Sequence, residues 1–268
     1  MSEMKYNICA KTNMGLRRTN NEDNLCINNE YMRSPEDSSW GFGATAKECV
    51  AAVCDGMGGE SFGEFASLCA VSNIACAYED ILDASDADHA ERVDALIQKI
   101  NREVCDEIRS RNTRIGATVA MLCIKDDAAD LYNIGDSRIY LLRSDTLTQL
   151  SKDHTIVQRK LDIGAITAEQ AEKDPDRHKL TQHIGIFESE MIIEAHHVKK
   201  QVLAEDVFLI CSDGLTDMVS NEAIQQILTD AKPCDDAAER LMETALANGG
   251  KDNISIIVVQ AKKGLFES

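Results

Sequence analysis

Proline, CxxC cysteine pairs and long hydrophobic runs are scarce or absent in this sequence of 268 residues. Three prolines and no stretch rich in serine and glycine leave no evident linker, so we expect residues 1–268 to form a single domain. No apolar run approaches the roughly 18 residues of a membrane helix, and the first residues lack the apolar core of a secretory signal. The ten cysteines include no CxxC pair, which excludes the usual zinc and thioredoxin-like spacings and favours reduced cysteines in a cytoplasmic protein.

Positive charge is also in short supply. The chain has 28 Lys and Arg against 46 Asp and Glu, which gives a formal net charge of −18. A surface of this sign repels the phosphates of nucleic acids and anionic lipids, so we expect neither a nucleic acid nor a membrane as partner. The excess acid fits either a soluble surface or carboxylates that converge on a cation, and composition alone leaves both interpretations open.

Hydrophobic patterning predicts a mixture of strands and helices. Continuous apolar runs predict buried strands at residues 50–54, 118–124, 207–211 and 254–259, and residues 129–142 predict a strand, a tight turn and a strand. Apolar residues spaced three and four apart, or an apolar composition, predict helices at 62–78, 90–108, 222–229 and 235–246. Because the strands and helices occur in clusters instead of strict alternation, their order indicates a layered α+β domain.

Acidic residues occur where apolar strands end or begin. These residues are Asp55, Asp136, Asp213 and Asp252, together with Glu22 and Asp23 just before a short strand at 25–27. Strand ends converge at one sheet edge, and crowded carboxylates repel one another unless a cation neutralises them. All-oxygen ligation of this kind suits Mg²⁺ or Mn²⁺. Arg18 lies five residues before Asp23, where it either clamps a phosphate beside the metals or pairs with Glu22 on the surface.

Five segments together resemble a known family. Residues 15–23, 55–59, 135–138, 212–217 and 252–255 are similar, in order and spacing, to the motifs of bacterial-type members of the type 2C metal-dependent serine/threonine protein phosphatases. The resemblance runs from about residue 15 to the last strand. It implies a four-layer α-β-β-α sandwich of two antiparallel sheets flanked by helices.

The same resemblance implies a function. The chain would hydrolyse phosphoserine and phosphothreonine in proteins and so reverse the action of a cognate Ser/Thr kinase. It would act as a monomer, with two tightly bound Mn²⁺ or Mg²⁺ ions and a weaker third one. A water activated by the metals would attack phosphorus directly, so no phosphoenzyme would form.

The resemblance also implies roles for individual residues. The catalytic residues would be Arg18, Glu22 and Asp23, and the metal ligands would be Asp23, Asp55, Gly56 through its carbonyl, Asp136, Asp213 and Asp252. Asp55 would bridge two metals, and Asp136 would share the weaker third metal with Asp213. Arg18 would bind the substrate phosphate.

A flap at about residues 156–180 is a further implication, and it would take part in the recognition of protein substrates. One position departs from some eukaryotic relatives, which carry a His proposed as general acid where this chain has Met57. The proton donor for the leaving group is therefore unassigned, with metal-bound water as the first guess. His154 is the nearest histidine by motif, and a structural role at the flap is favoured for it.

Three other interpretations compete with this one. Residues 59–63 match the G-x-S-x-G elbow of α/β-hydrolases, but Ser61 trails the strand end at Asp55 by six residues, so a helix N-cap is favoured. Residues 249–251 suggest a P-loop, yet Ala245 and Asp252 occupy positions that require Gly and Ser or Thr. A pseudophosphatase, which binds phosphoproteins without hydrolysing them, is disfavoured because every expected metal carboxylate is present.

Overall fold

The computed structural model describes residues 4–33, 39–58, 62–231 and 233–264. Most of the strands within these residues form two six-stranded antiparallel sheets. In spatial order the first sheet contains β11 (Thr146–Gln149), β10 (Arg138–Arg143), β13 (Val207–Cys211), β14 (Ile254–Lys263), β1 (Met4–Asn13) and β4 (Ser39–Ala46). The second contains β12 (His196–Gln201), β9 (Ala128–Ile134), β8 (Val119–Lys125), β5 (Cys49–Cys54), β2 (Asn24–Ile27) and β3 (Glu30–Tyr31). A separate pair consists of β6 (Gly56–Gly58) and β7 (Ile115–Ala117).

Helices cover the outer face of each sheet. The helices on these faces are α1 (Gly63–Leu82) and α2 (His89–Arg111) on one side and α5 (Asp213–Thr216), α6 (Asn221–Asp230) and α7 (Cys234–Ala247) on the other. Two further short helices, α3 (Ile156–Asp162) and α4 (Ala168–Ala171), lie in the segment between β11 and β12. One apolar cluster joins α1 and α2 to the second sheet, a second cluster fills the space between the sheets, and a third joins α5, α6 and α7 to the first sheet. The predicted four-layer α-β-β-α sandwich is therefore confirmed.

Strand β8 shows why the buried runs lack alternation. Met121 and Cys123 pack toward α1 and α2, whereas Leu122 and Ile124 pack toward the first sheet. Successive side chains of a strand point to opposite faces, and here both faces are covered, so every position from 119 to 124 is apolar. The continuous run is the expected signature of a central layer.

The two long helices confirm the helical periodicity. In α2 the buried positions include Val93, Ile97, Ile100 and Val104, and the helix is followed by Asn112 in the left-handed region at φ 53°.

Helix α1 is long and apolar enough, by length and composition alone, to cross a membrane. Acidic residues lie near both ends of the helix and interrupt its apolar run, so the sequence alone does not predict a helix of this length and apolarity. Its buried residues belong to the cluster against the second sheet.

The turn at Gly135 differs from the prediction. Both flanking strands form, but β9 pairs in the second sheet and β10 in the first, so they do not make a hairpin with each other. Gly135 has φ 97°, a conformation that favours glycine, and it turns the chain from one sheet into the other. This crossing places Asp136 at the end of the sandwich between the two sheets.

Candidate metal centre

A cleft of about 410 Å³ lies where β5, β9 and β13 end and β14 begins. Seven of the eight predicted site residues line it. They are Arg18, Glu22, Asp55, Gly56, Asp136, Asp213 and Asp252. Residues that are far apart in the chain thus meet because their strands end at the same edge of the sandwich.

Asp55 is held in place by Thr118, which precedes the neighbouring strand. The Asp55 N–H donates to Thr118 Oγ1 at 2.9 Å, and the Asp55 carbonyl accepts from the Thr118 N–H at 2.8 Å. Thr118 Oγ1 also lies 2.6 Å from Ser137 Oγ in the turn that carries Asp136. One hydroxyl therefore links the two strand ends that present Asp55 and Asp136.

Asp23 is the predicted residue that does not line the cleft. Its side chain is 2% exposed, and Ser212 Oγ donates to its Oδ2 at 2.7 Å. Burial raises the pKa of the Asp23 carboxyl to about 7. Asp23 lies behind the cleft and holds the residue directly before Asp213, and its role at a metal stays a prediction.

The carboxylates of the cleft are crowded and desolvated. Burial raises the pKa of Asp55 and of Asp136 well above the usual range, and the negative charge of Asp213 nearby raises both further. A divalent cation among these oxygens would offset both the desolvation and the repulsion. The donor set, carboxylates with a backbone carbonyl at Gly56, is the one that Mg²⁺ and Mn²⁺ prefer. The residues present therefore fit the metal ions that the sequence predicts.

Gly56 brings two chain segments together at the cleft. Its N–H donates to the Glu22 carbonyl at 3.1 Å. A Cβ atom at this position would overlap the carbonyl oxygens of both Glu22 and Gly63. The contact needs a glycine because no side chain fits between these backbones.

Arg18 forms an ion pair across the mouth of the cleft. Its Nη2 lies 2.6 Å from Asp252 Oδ2, with the two side chains 48% and 37% exposed. The alternative that Arg18 pairs with Glu22 on the surface is wrong, because among the described residues Arg18 pairs with Asp252 instead. The guanidinium stands beside a predicted metal ligand and can reach a phosphate bound there.

Comparison with known proteins agrees with this geometry. A family model described as "Protein phosphatase 2C" matches residues 31–252. The chain belongs to the protein phosphatase 2C family. It is 32% identical over 251 residues to the serine/threonine protein phosphatase PstP of Mycobacterium tuberculosis, which covers 93% of this chain and 44% of PstP. It is 33% identical over 256 residues to the protein phosphatase PhpP of Streptococcus pneumoniae, which covers 94% of this chain and 96% of PhpP. The chain thus spans less than half the length of PstP.

Solved structures of protein phosphatase 2C relatives have the same fold. The M. tuberculosis serine/threonine phosphatase PstP/Ppp superposes with a TM-score of 0.79 at 30% identity, covering 96% of this chain and 98% of that one. The S. agalactiae serine/threonine phosphatase superposes with a TM-score of 0.83 at 26% identity, covering 95% and 99%. The catalytic domain of PstP in complex with two manganese ions gives a TM-score of 0.78 at 29% identity, covering 97% and 99%.

Two titratable residues of this protein phosphatase 2C cleft are not among the predicted site residues. His178, near the end of the flap, and Asp217, just after α5, line the cleft with the predicted residues. The His178 ring lies 3.5 Å from a carboxylate oxygen of Asp213 and 3.5 Å from one of Asp217. The hydrogen bond to Asp213 raises the pKa of His178. Asp217 belongs to the quoted 212–217 motif, but His178 has no local signal, because its position depends on how the flap packs.

His154 has the structural role that was favoured for it. Its Nδ1 accepts from the Gly135 N–H at 3.3 Å, its own N–H donates to the Gly135 carbonyl at 2.8 Å, and it is not among the residues that line the cleft. The Thr181 N–H donates to its carbonyl at 2.7 Å, which fastens the end of the flap. Ser61, the alternative nucleophile or N-cap, lies outside the described residues.

Proposed function

We propose that this chain is a metal-dependent protein phosphatase that hydrolyses phosphoserine and phosphothreonine in proteins. The observation that carries the proposal is the cleft itself, in which Arg18 meets the four predicted aspartates, Asp55, Asp136, Asp213 and Asp252, in a chain of the protein phosphatase 2C family. The names of PstP and PhpP, both protein phosphatases, support the same reaction.

Mn²⁺ or Mg²⁺ would be held by residues of the cleft. For two ions the proposed ligands are Asp55, the Gly56 carbonyl, Asp213 and Asp252. For a weaker third ion they are Asp136 and Asp213. Glu22 lies beside these ligands in the cleft, and Asp23 lies behind it. The structure of the PstP catalytic domain with two manganese ions supports manganese as the bound ion. When bound, such ions make water a nucleophile at neutral pH and offset the charge on the phosphoryl oxygens.

The chain's own residues bind and orient the substrate. Arg18 is exposed enough to exchange Asp252 for a phosphate oxygen, and its planar guanidinium can bind two phosphate oxygens at once. Thr118 fixes the backbone of Asp55, and Ser212 is held by Asp23, so the carboxylates are positioned before substrate arrives. Direct attack by water needs no nucleophilic Ser or Cys in the cleft.

The biological setting is part of the same proposal. The substrates would be phosphoproteins of a cognate Ser/Thr kinase, and the phosphatase would act in signalling in the cytoplasm as a monomer. The formal net charge of −18 disfavours nucleic acid and anionic membranes as partners. The flap, which contains α3 and α4, borders the cleft through His178 and Leu180 and is placed to contact the protein substrate.

The decisive measurement is hydrolysis of a phosphothreonine peptide by protein stripped of metal and then loaded with Mn²⁺ or Mg²⁺. We expect phosphate release only with metal, and its loss on addition of EDTA. Absence of turnover by folded, metal-loaded protein would refute the proposal, and tight binding of the phosphopeptide without turnover would identify a pseudophosphatase. Turnover that survives EDTA and stops with a serine-directed inhibitor would favour the hydrolase alternative at Ser61.

A further inference from the structure

His178 faces the acidic cleft from the flap side. Its Nδ1 lies 3.5 Å from Asp213 Oδ2, and one ligand atom each from Asp136, His178 and Asp213 lie within 4.8 Å of one another. Among the described residues His178 is the one histidine that lines the cleft. The flap therefore brings a nitrogen donor to the two carboxylates that are proposed to hold the weaker third ion.

We propose that His178 is a ligand of this third ion, together with Asp136 and Asp213, and that it makes the site select a divalent transition-metal ion over Mg²⁺. This inference rests on the proposed function for the presence of the ion. Mg²⁺ is bound by carboxylates and keeps several of its waters, so an imidazole adds little to its binding. Transition ions gain affinity from nitrogen donors. A site with one imidazole and two carboxylates should therefore bind transition-metal ions more tightly than Mg²⁺, whereas an all-carboxylate site should distinguish them less.

The surroundings of the ring allow Nδ1 to bind a cation. Nε2 lies 2.7 Å from Arg177 Nε and 3.5 Å from Asp217 Oδ2. If a cation binds Nδ1, the ring proton moves to Nε2, and Asp217 accepts a hydrogen bond from that Nε2–H. Arg177, whose Nη2 already lies 3.3 Å from Asp217, then pairs with Asp217 alone. Metal-bound histidines commonly donate their other N–H to a carboxylate in this way, which fixes the ring orientation.

The backbone on either side holds His178 at the cleft. Thr155 and Leu180 form an isolated β-bridge, and the Ile156 N–H donates to the Lys179 carbonyl at 2.9 Å. The start and the end of the flap are thus fastened together within two residues of His178. A ligand on this segment would couple occupancy of the third site to the position of the flap.

A simpler role for His178 is that of a cation that neutralises Asp213 and Asp217 without touching a metal. Arg177 offers a matched control, because it pairs with Asp217 but is not one of the residues that line the cleft. A charge role predicts similar effects of His178→Ala and Arg177→Gln. A ligand role predicts an effect of His178→Ala alone.

The test is electron spin-echo envelope modulation of the protein loaded with excess Mn²⁺ in the absence of substrate. Modulation from a directly bound ring nitrogen is expected in the wild-type protein and in Arg177→Gln, and it should disappear in His178→Ala. In parallel, calorimetric titration should show that the Mn²⁺ affinity of the weakest class of sites falls by about tenfold or more in His178→Ala. The Mg²⁺ affinity measured in the same way should change by less than about twofold.

A second variant protects the test against misfolding. His178→Asp replaces the nitrogen donor with an oxygen donor, so it should lose the nitrogen modulation while the number of bound Mn²⁺ ions is preserved. Nitrogen modulation that is absent from the wild-type protein, or that persists in His178→Ala, would overturn the proposal, as would equal titrations of wild type and His178→Ala. Since no substrate is used, a protein that binds Mn²⁺ through His178 but hydrolyses no phosphopeptide would refute only the proposed function.

Discussion

Arg18 Nη2 and Asp252 Oδ2 lie 2.6 Å apart at the mouth of the cleft, which places a cation directly beside a proposed metal ligand. The pair joins the segment before β2 to Asp252, two residues before β14, so it depends on contacts between segments that are far apart in the chain. A phosphate that enters the cleft would compete with Asp252 for the guanidinium. Arg18 is therefore positioned to bind substrate without being needed to build the carboxylate cluster.

Replacing Arg18 by Ala should weaken substrate binding more than it slows the chemical step. A hydrogen bond between charged groups contributes about 1.5–3 kcal/mol, so we expect KM for a phosphopeptide to rise by roughly tenfold or more. Steady-state kinetics with Mn²⁺ would measure this, and Arg17→Ala, which removes the neighbouring charge outside the cleft, is the control. An unchanged KM would contradict the phosphate-binding role.

Asp213→Asn and Asp252→Asn should each abolish turnover. Each exchange keeps the shape of the side chain but removes the negative charge that a divalent ion requires. Phosphate release from a phosphothreonine peptide at saturating Mn²⁺ is the measurement. Asp94→Asn makes the same chemical change on helix α2 and should leave the rate near that of the wild type. Full activity in either cleft variant would remove that residue from the metal site.

Asp55→Asn should abolish phosphate release and yet stabilise the protein without metal. The raised pKa of Asp55 means that ionisation of this buried carboxyl opposes folding at neutral pH, and the amide removes that cost. In EDTA the variant should melt above the wild type, where about 1 kcal/mol corresponds to roughly 2–4 °C. Added Mn²⁺ should raise the melting temperature of the wild type more than that of the variant. A variant that melts below the wild type in EDTA would speak against the predicted repulsion.

Acid should destabilise the protein partly through His89. The His89 Nδ1 lies 2.9 Å from the Tyr132 hydroxyl, and burial lowers the pKa of this histidine from the usual 6.5. A lowered pKa means that protonation favours the unfolded chain, so the cost is absent well above pH 6.5 and grows as the pH falls below it. As the pH falls from about 7.5 to 5.5, the melting temperature of His89→Gln should decrease less than that of the wild type. Parallel curves for the two proteins would exclude this contribution.

The carboxylate cluster could be predicted because each member has a local signal. Asp55, Asp136 and Asp213 follow apolar runs that are recognisable as buried strands, and strands of one sandwich must end at common edges. Continuous apolar runs such as that of β8 likewise predicted buried strands, whereas the four-layer order was implied by the family resemblance. In these cases the local pattern and the tertiary arrangement depend on the same burial of apolar side chains.

Other features depend on tertiary contacts that leave no local pattern. His178 reaches the cleft because the end of the flap packs against Asp213 in α5 and Asp217 just after it, and Asp23 lies behind Ser212 because two distant segments meet. The turn at Gly135 suits a hairpin and a crossing between sheets equally well, so only the partners of β9 and β10 decide between them. Short-range sequence patterns carry no information about such partners.

Gly214→Ala should destabilise the cleft from within the fold. A Cβ atom on Gly214 would overlap the carbonyl oxygen of Asn253, next to Asp252, in a contact between two backbones that cannot move aside cheaply. Overpacking of this kind costs about 1–3 kcal/mol, and the shift should also weaken Mn²⁺ binding because Asp213 and Asp252 flank the contact. Gly43→Ala is the matched control, since its Cβ would meet neighbours at ordinary contact distance, the nearest at 3.7 Å. Denaturant unfolding with and without Mn²⁺ measures both effects, and equal behaviour of the two variants would show that the strand ends can separate without loss.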